Sequence, residues 1–331
     1  AMPKMSSATA TPFKRMALHG PTMGTRWAAT VDADDTVDVA ALRQDLAAAV
    51  EQVDEQMSPW KSHSDLMRLN RAPVDEWVTL SPEIMEVLEG ALDVQRLSAG
   101  AFDPCVGALV DAWGFGAVRD APDAQAIRAA RQSIPLAVSA GLALDRPAGR
   151  ARKRAPVQID LCGIAKGYAV DRMVHVLRQH GVQHALASLD GELRAVGGQV
   201  SGQPWAVALE RPEVGRRAVH GVLELDDLAV ATSGDYRRYL DVGEVRLAHT
   251  MDARRCAPVN NAVASVTVLA RTCMHADAWA TALLVAGPDE GLAMAQRMGL
   301  DVLFLLRRGQ GLTEIGLGRF GAGWTPDGNG A

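Results

Sequence analysis

Along VAALRQDLAAAVEQVDEQM, residues 39–57, apolar side chains return every three to four positions, a spacing that lines one face of an α-helix. SPEIMEVLEGALDVQRLS repeats the pattern over 81–98, with Ser81 as N-cap and Pro82 in the first turn, where its missing N–H is not needed. A third helix is predicted over IAKGYAVDRMVHVLRQHG, 164–181, stopped by Gly181 where the backbone turns left-handed. HADAWATALL at 275–284 opens another apolar helix, and GLAMAQRMG precedes DVLFLL near the end. Other segments alternate instead. RWAATVDA, HALASLDGELRAVGG, PWAVALERP, GVLELDDLAVATSG, EVRLAHTMD, VASVTVLA and DVLFLL read as strands parted by Gly, Pro and Asp turns, and PVQIDL at 156–161 as a short buried strand. Residues 118–155, rich in Ala, Arg and Pro, predict a short helix and a loose connection. Hairpin-like joins among the strands predict an α+β fold, mainly an antiparallel sheet with helices; the length predicts two lobes, and polar residues near strand ends would reach a cleft.

The 331 residues suffice for a large core. The organisation expected is a disordered tail or cloning remnant over 1–17, one domain over 18–320 and a C-terminal tail over 321–331. Charge adjusts the picture little: a net −5 gives no support to nucleic-acid binding, which calls for a basic face. No apolar run reaches the roughly 18 residues that span a bilayer. Ala1 ahead of Met2 reads as a cloning scar, and the first residues lack the apolar block of a secretory signal. If Met2 is the natural start, the cytoplasm is favoured; otherwise a removed signal would place the chain in the periplasm. Cys105, Cys162, Cys256 and Cys273 form no CxxC pair and read as core thiols.

Candidate chemistry begins with Asp277 and Thr281. Four residues apart on a helix, they share a face, and a carboxylate with a hydroxyl suits Mg²⁺, which takes few protein oxygens and keeps water or phosphate on the rest. On spacing alone, the favoured account is plainer: Asp277 caps a helix start and Thr281 bonds back to a carbonyl. DLCGIAKGYAVD, 160–171, is a tight turn into a helix, whose free N–H groups and Lys166 could receive an anion, although a Walker A order is absent. AFDPCVGALVDAWGFG places Asp103 in a turn, and Ser233, Asp235, Tyr236, His249 and Asp252 stand near strand ends.

These segments, in this order, resemble the ApbE family of FAD:protein FMN transferases. MGT at 23–25, MSPWKSHSDLMRLN, GAFDPCVGALVDAWGFG, DLCGIAKGYAVD, ATSGDYRRY and SVTVLARTCMHADAWATALLVAG carry the likeness, which runs from about 20 to 307. The resemblance implies an ApbE-like flavin transferase domain. Its activity would be Mg²⁺-dependent transfer of FMN from FAD, through the phosphate, to a threonine of an acceptor protein, with release of AMP. Acceptors of the family carry an Asp-x-x-Ser-x-Ala-Thr-like motif within FMN-binding domains, including those of ion-pumping NADH:quinone or ferredoxin oxidoreductases. It further implies a metal site of Asp277, Thr281 and the Ala165 carbonyl. Met23, Trp60, Ala101, Phe102, Asp103, Cys162, Lys166, Tyr168, His249 and Met251 would line the FAD site. His249, with Asp252 as its alternative, is the expected base or phosphate contact, beside Asp277 as a catalytic residue.

The chain departs from the family at Cys162, Asp190 and Cys256, where Gly is usual, and in Asp252-Ala253-Arg254-Arg255-Cys256, which replaces Asp-Pro-Arg-Thr-Gly. Two alternatives therefore stand beside transfer: FAD hydrolysis to FMN and AMP by the same site, and FAD binding without chemistry.

Overall fold

Eight strands, each antiparallel to its neighbours, form the main sheet in simple sequence order. They are β1 (Lys14–Thr22), β2 (Thr25–Ala33), β3 (Ala185–Leu189), β4 (Glu192–Val196), β5 (Ala229–Gly234), β6 (Val263–Ala270), β7 (Asp301–Arg308) and β8 (Gly311–Leu317). The computed structural model describes residues 13–133, 141–213, 215–243, 245–309 and 311–321. The expected tails therefore lie largely outside the described residues. The N-terminal one, drawn to residue 17, ends earlier, because Lys14 already pairs with Ala33 and the chain continues as β1.

Seven helices complete the described fold: α1 (Val39–Met57), α2 (Asp65–Arg71), α3 (Pro82–Leu97), α4 (Gly107–Ala112), α5 (Ala124–Ser133), α6 (Ala165–Gln179) and α7 (Cys273–Met298). The predicted apolar stripes do the burying. Leu42, Leu46, Val50 and Val53 of α1, Ile84, Leu88 and Val94 of α3, and Val170, Met173, Val174 and Leu177 of α6 join one core with the inner faces of β2, β3 and β6. α6 packs against both α1 and α7. On the opposite face, the ribbon of Trp205–Glu210 and Val219–Leu225 packs Trp205, Leu223 and Leu225 against Val230, Leu269, Leu303 and Leu305. A sheet covered on both faces explains why VASVTVLA is buried almost throughout rather than on alternate residues.

Three local readings are corrected. PVQIDL is extended but belongs to no sheet: its polar backbone is satisfied by a side chain instead. Asn70 accepts from Ile159 N–H at 2.7 Å and donates to the Ile159 carbonyl at 2.9 Å, while Gly107 and Asp160 N–H bond the Gln158 and Pro104 carbonyls. One asparagine thus mimics a neighbouring strand and fixes the approach to α6. The segment 118–155 holds more than a helix and a loose connection, since Leu142–Asp145 and Arg150–Lys153 pair with each other and, through the latter, with Val78–Thr79. α7 is longer than the opening motif suggested and is interrupted at Gly287, whose φ of 80° lets the chain turn before Pro288.

Replacing Asn70 by Ala leaves the Ile159 N–H and carbonyl buried without partners, each costing about 1–3 kcal/mol. A loss of about 2–4 kcal/mol in unfolding free energy is expected from denaturant midpoints, and a loss below half of that would show that other groups satisfy this strand mimic.

Candidate active site

The candidate residues converge where α6 crosses α7. Residue 164 is isoleucine, which cannot cap α6, so the orphan N–H groups of its first turn need partners from elsewhere. Asp277 supplies one: its Oδ2 accepts from Gly167 N–H at 3.0 Å. The capping account of Asp277 is therefore corrected in detail. α7 begins at Cys273 with Thr272 as its own N-cap, and Asp277 lies one turn further in, serving another helix. Gly167 is required by this approach, because a Cβ there would stand 2.3 Å from the Cys273 carbonyl oxygen. Thr281, one turn beyond Asp277, donates or accepts with Ser233 Oγ at 3.2 Å. Its hydroxyl also lies 3.1 Å from where a Cβ on Gly163 would be, with the Phe102 ring at 3.3 Å. Of the two positions of the family's Gly-Gly pair, the chain thus keeps glycine at the crowded one, Gly163, while Cys162 at the other is exposed. Ala165 lies in the chain between the Gly163 and Gly167 contacts.

Around this crossing gathers a charge cluster. Lys166 Nζ lies 2.8 Å from Glu192 Oε1 and 3.6 Å from Asp190 Oδ2; Arg237 bridges Asp190 at 3.0 Å and Glu210. Asp277 is 3% exposed, and burial together with the Glu192 charge pushes its pKa up to about 7. Glu192, equally buried, is also pushed up by burial and leaves its Oε2 without a hydrogen-bond partner. Counting Asp190, Glu192, Glu210 and Asp277 against Lys166 and Arg237, the fully ionised set carries two surplus negative charges.

That surplus is what a divalent cation would offset, so the residues fit the magnesium that the resemblance implies. The donors available, one carboxylate, one hydroxyl and backbone carbonyls, are the hard oxygens this ion prefers. Among the described residues, no group of three or more His, Cys, Asp or Glu side chains could hold a metal, so such an ion would have to draw on that mixed oxygen set.

His249 belongs to the same electrostatic neighbourhood. Its Nδ1 lies 3.1 Å from the Arg238 carbonyl, an acceptor only, so Nδ1 carries the proton and Nε2 presents a lone pair. Burial, assisted by the positive charges of Arg238 and Lys166, lowers its pKa to about 4, leaving the ring neutral at pH 7. Asp252 is differently placed. Its Oδ1 accepts from Arg254 N–H at 2.9 Å, and Arg254 runs on to Glu290 at 2.7 Å, so this carboxylate is engaged in shaping its own loop.

The remaining expected residues are distributed as follows. Met23 occupies the β1–β2 turn with φ 45°, Ala101 and Phe102 are buried in the main core, and Trp60 is 53% exposed. Asp103 accepts from Gln95 Nε2 at 2.7 Å and from Cys105 N–H, with burial raising its pKa. Tyr168 is buried and donates to Glu86 on α3. Met251 is packed into a small separate core with Leu109, Ala112 and Ala130, and its backbone pairs antiparallel with Pro258. Sequence reasoning overlooked Glu192 and Arg237. By alternation Glu192 shares a face with Arg194, opposite Leu193 and Ala195, so the strand pattern carries no signal of its burial.

A model of the ApbE family matches residues 23–304. The chain belongs to the ApbE family. The FAD:protein FMN transferase of Vibrio cholerae serotype O1 is 34% identical over 317 residues, spanning 93% of this chain and 92% of that protein. The transferase of the same description from Klebsiella pneumoniae is 33% identical, over 89% and 85% of the two chains. Among solved structures, the flavin transferase ApbE from Vibrio cholerae superposes with a TM-score of 0.84 at 32% identity, over 93% of this chain and 99% of that one. The apo flavinyl transferase ApbE of Pseudomonas stutzeri gives 0.83 at 34% identity, over 94% and 98%. This ApbE-family enzyme therefore shares its α+β architecture with those transferases over nearly their full length. No helix among the described residues is long and apolar enough to cross a membrane.

The altered loop yields one prediction. Cys256 holds φ 54°, a left-handed conformation that costs an L-residue roughly 1–2 kcal/mol, and in return its side chain makes a thiol contact to the Ala253 carbonyl and packs, half-buried, against the small core around Leu109 and Met251. Cys256→Gly should raise stability by up to about 1 kcal/mol, the rest of the relief being offset by the larger entropy of glycine in the unfolded chain. Thermal unfolding checks it, and a lowered midpoint would mean the thiol matters more than the strain.

A second concerns pH. Because the folded-state pKa of His249 lies below its unfolded value, the stability it contributes is present above about 6.5 and is lost as pH falls toward 4. An NMR titration of the His249 ring in the FAD-free protein should give a midpoint near 4; a midpoint near 6.5 would contradict the crowding described.

Proposed function

We propose that this chain transfers FMN from FAD to a threonine hydroxyl of an acceptor protein, forming a phosphoester and releasing AMP, with Mg²⁺ held by Asp277, Thr281 and the Ala165 carbonyl. The observation that carries the reading is the crossing of α6 and α7. It brings an oxygen-donor face, a helix N-terminus and the Lys166 ammonium to one place beside a surplus of negative charge. Family membership supports the transferase activity over hydrolysis, because the full-length relatives are named as protein FMN transferases.

Chemically, the threonine oxygen bonds the phosphorus of the FMN half of FAD. The bond from that phosphorus to the bridging oxygen breaks, and AMP departs with that oxygen. Bound Mg²⁺ would neutralise charge on the pyrophosphate and the leaving phosphate. The α6 N-terminus and Lys166 orient the same anion. Lys166 is pre-engaged by Glu192 and Asp190, so its ammonium is held in place rather than swinging freely. The threonine proton goes to Nε2 of His249. An arriving pyrophosphate offsets the Arg238 and Lys166 charges that depress its pKa and so raises its basicity. Asp252 shapes the adjoining loop through Arg254 and is not the base. Met23, Trp60, Ala101, Phe102, Asp103, Cys162, Tyr168 and Met251 complete the flavin and adenine contacts.

The test is to incubate the protein with FAD, Mg²⁺ and a small FMN-binding domain bearing the threonine motif, following AMP and acceptor mass together. One FMN added per acceptor, matched by AMP and lost on chelation, is the expected result. AMP without a modified acceptor would favour hydrolysis, and FAD binding without either product would favour a flavin-binding protein. Asp277→Ala should lower the Mg²⁺-dependent rate by at least a hundredfold; full activity would remove the metal assignment.

A further inference from the structure

Two rows of residues meet where α6 crosses α7, each with members four apart: within the helices these stack along one face, and Gly163 extends the α6 row from the turn before that helix. Gly163, Gly167 and Asp171 run along one; Thr281, Asp277 and Cys273 oppose them in reverse order. Gly163 abuts Thr281, Gly167 donates to Asp277, and Asp171 closes the far end. Its Oδ1 accepts from Cys273 N–H and its Oδ2 from Met274 N–H, both at 2.9 Å. Each helix thus caps the other: α7 lends Asp277 to the start of α6, and α6 lends Asp171 to the start of α7.

Asp171 is itself held. Arg194 of β4 donates to its Oδ1 at 2.5 Å, tying the pair to the main sheet. Two residues before Arg194 on the same strand, Glu192 holds Lys166. One strand therefore anchors both the phosphate-facing lysine and the carboxylate that caps α7.

We propose that Asp171, oriented by Arg194, is a positioning residue that sets the axial register of α7 against α6, and thereby the placement of Asp277 and Thr281 for Mg²⁺. The inference rests on the metal role given to those two residues above. Its physical basis is the rise of an α-helix, about 1.5 Å per residue. A slip of α7 by one such step separates Asp277 from Gly167 and Thr281 from Gly163 together. Bonds from one carboxylate to two successive N–H groups oppose that slip, whereas the native cap Thr272 moves with α7 and cannot.

This contrast supplies the control. Thr272→Ala also removes a cap from α7, yet leaves the register bonds in place. Mg²⁺ alone would be titrated by calorimetry into the FAD-free full chain of the wild type and of Asp171→Ala, Asp171→Asn, Thr272→Ala and Asp277→Asn. The expected result is Mg²⁺ affinity weakened at least tenfold in Asp171→Ala, less in Asp171→Asn, which keeps one carbonyl acceptor, and by no more than twofold in Thr272→Ala. Amide exchange at Cys273 and Met274 should accelerate in Asp171→Ala. Affinity within twofold of wild type in Asp171→Ala, or equal weakening in Thr272→Ala, overturns the proposal. Should Asp171→Ala not fold, Asp171→Asn decides, and unchanged affinity there overturns it equally. Wild-type affinity in Asp277→Asn would instead overturn the metal face itself, an outcome distinct from the first two.

Discussion

The hydrogen bond between Gly167 N–H and the Asp277 carboxylate is the contact on which the candidate site depends. It exists because Ile164 cannot cap α6 and because position 167 has no Cβ to keep the helices apart. The same approach brings Thr281 against Gly163, where the Phe102 ring leaves little room for a side chain. An ordinary structural requirement, satisfying an orphan amide, thus assembles the oxygen face to which a metal role is assigned.

That assembly stores electrostatic tension. Burial and the neighbouring Glu192 charge push the Asp277 carboxyl up, and Glu192 retains an oxygen without a hydrogen-bond partner. Buried polar groups in this condition are costly unless paired. The arrangement is intelligible as a site prepared for a charged ligand, in which Lys166 and Arg237 already balance part of the charge and the remaining negative surplus would be met by a cation. The sheet supplies the rigidity for this. Glu192 and Arg194 on β4, and Ser233 on β5, reach the helices from adjacent strands buried on both sides.

The departures from the family pattern are absorbed at the backbone. Asp190 and Cys256 both adopt φ near 55°, the left-handed region suited to the glycine usual there. Asp190 offsets its strain by bridging Lys166 and Arg237, whereas Cys256 gains a thiol contact and partial packing against the small core. Cys162 is solvent-accessible, and its N–H is held by Asp160 Oδ1 at 2.8 Å. Arg254, which stands where the family pattern also has Arg, ties Asp252 to Glu290 on α7.

Apolar periodicity in the sequence by itself determined α1, α3 and α6, and alternation with turn residues determined most strands of the antiparallel sheet, because burial of a stripe or a face is a local demand. It also marked Asp277 and Thr281 as one helical face, while the resemblance pointed to the family. Where one side chain replaces a strand, as Asn70 does for Ile159, no period records it. Nor could spacing reveal that Asp277 caps a different helix, that Glu192 meets Lys166, or that Asp171 serves α7. Those pairings join residues 26 to 110 positions apart. Only the packing of α6 and α7 against each other and against the sheet sets their distances, and with them which charges share a low-dielectric interior.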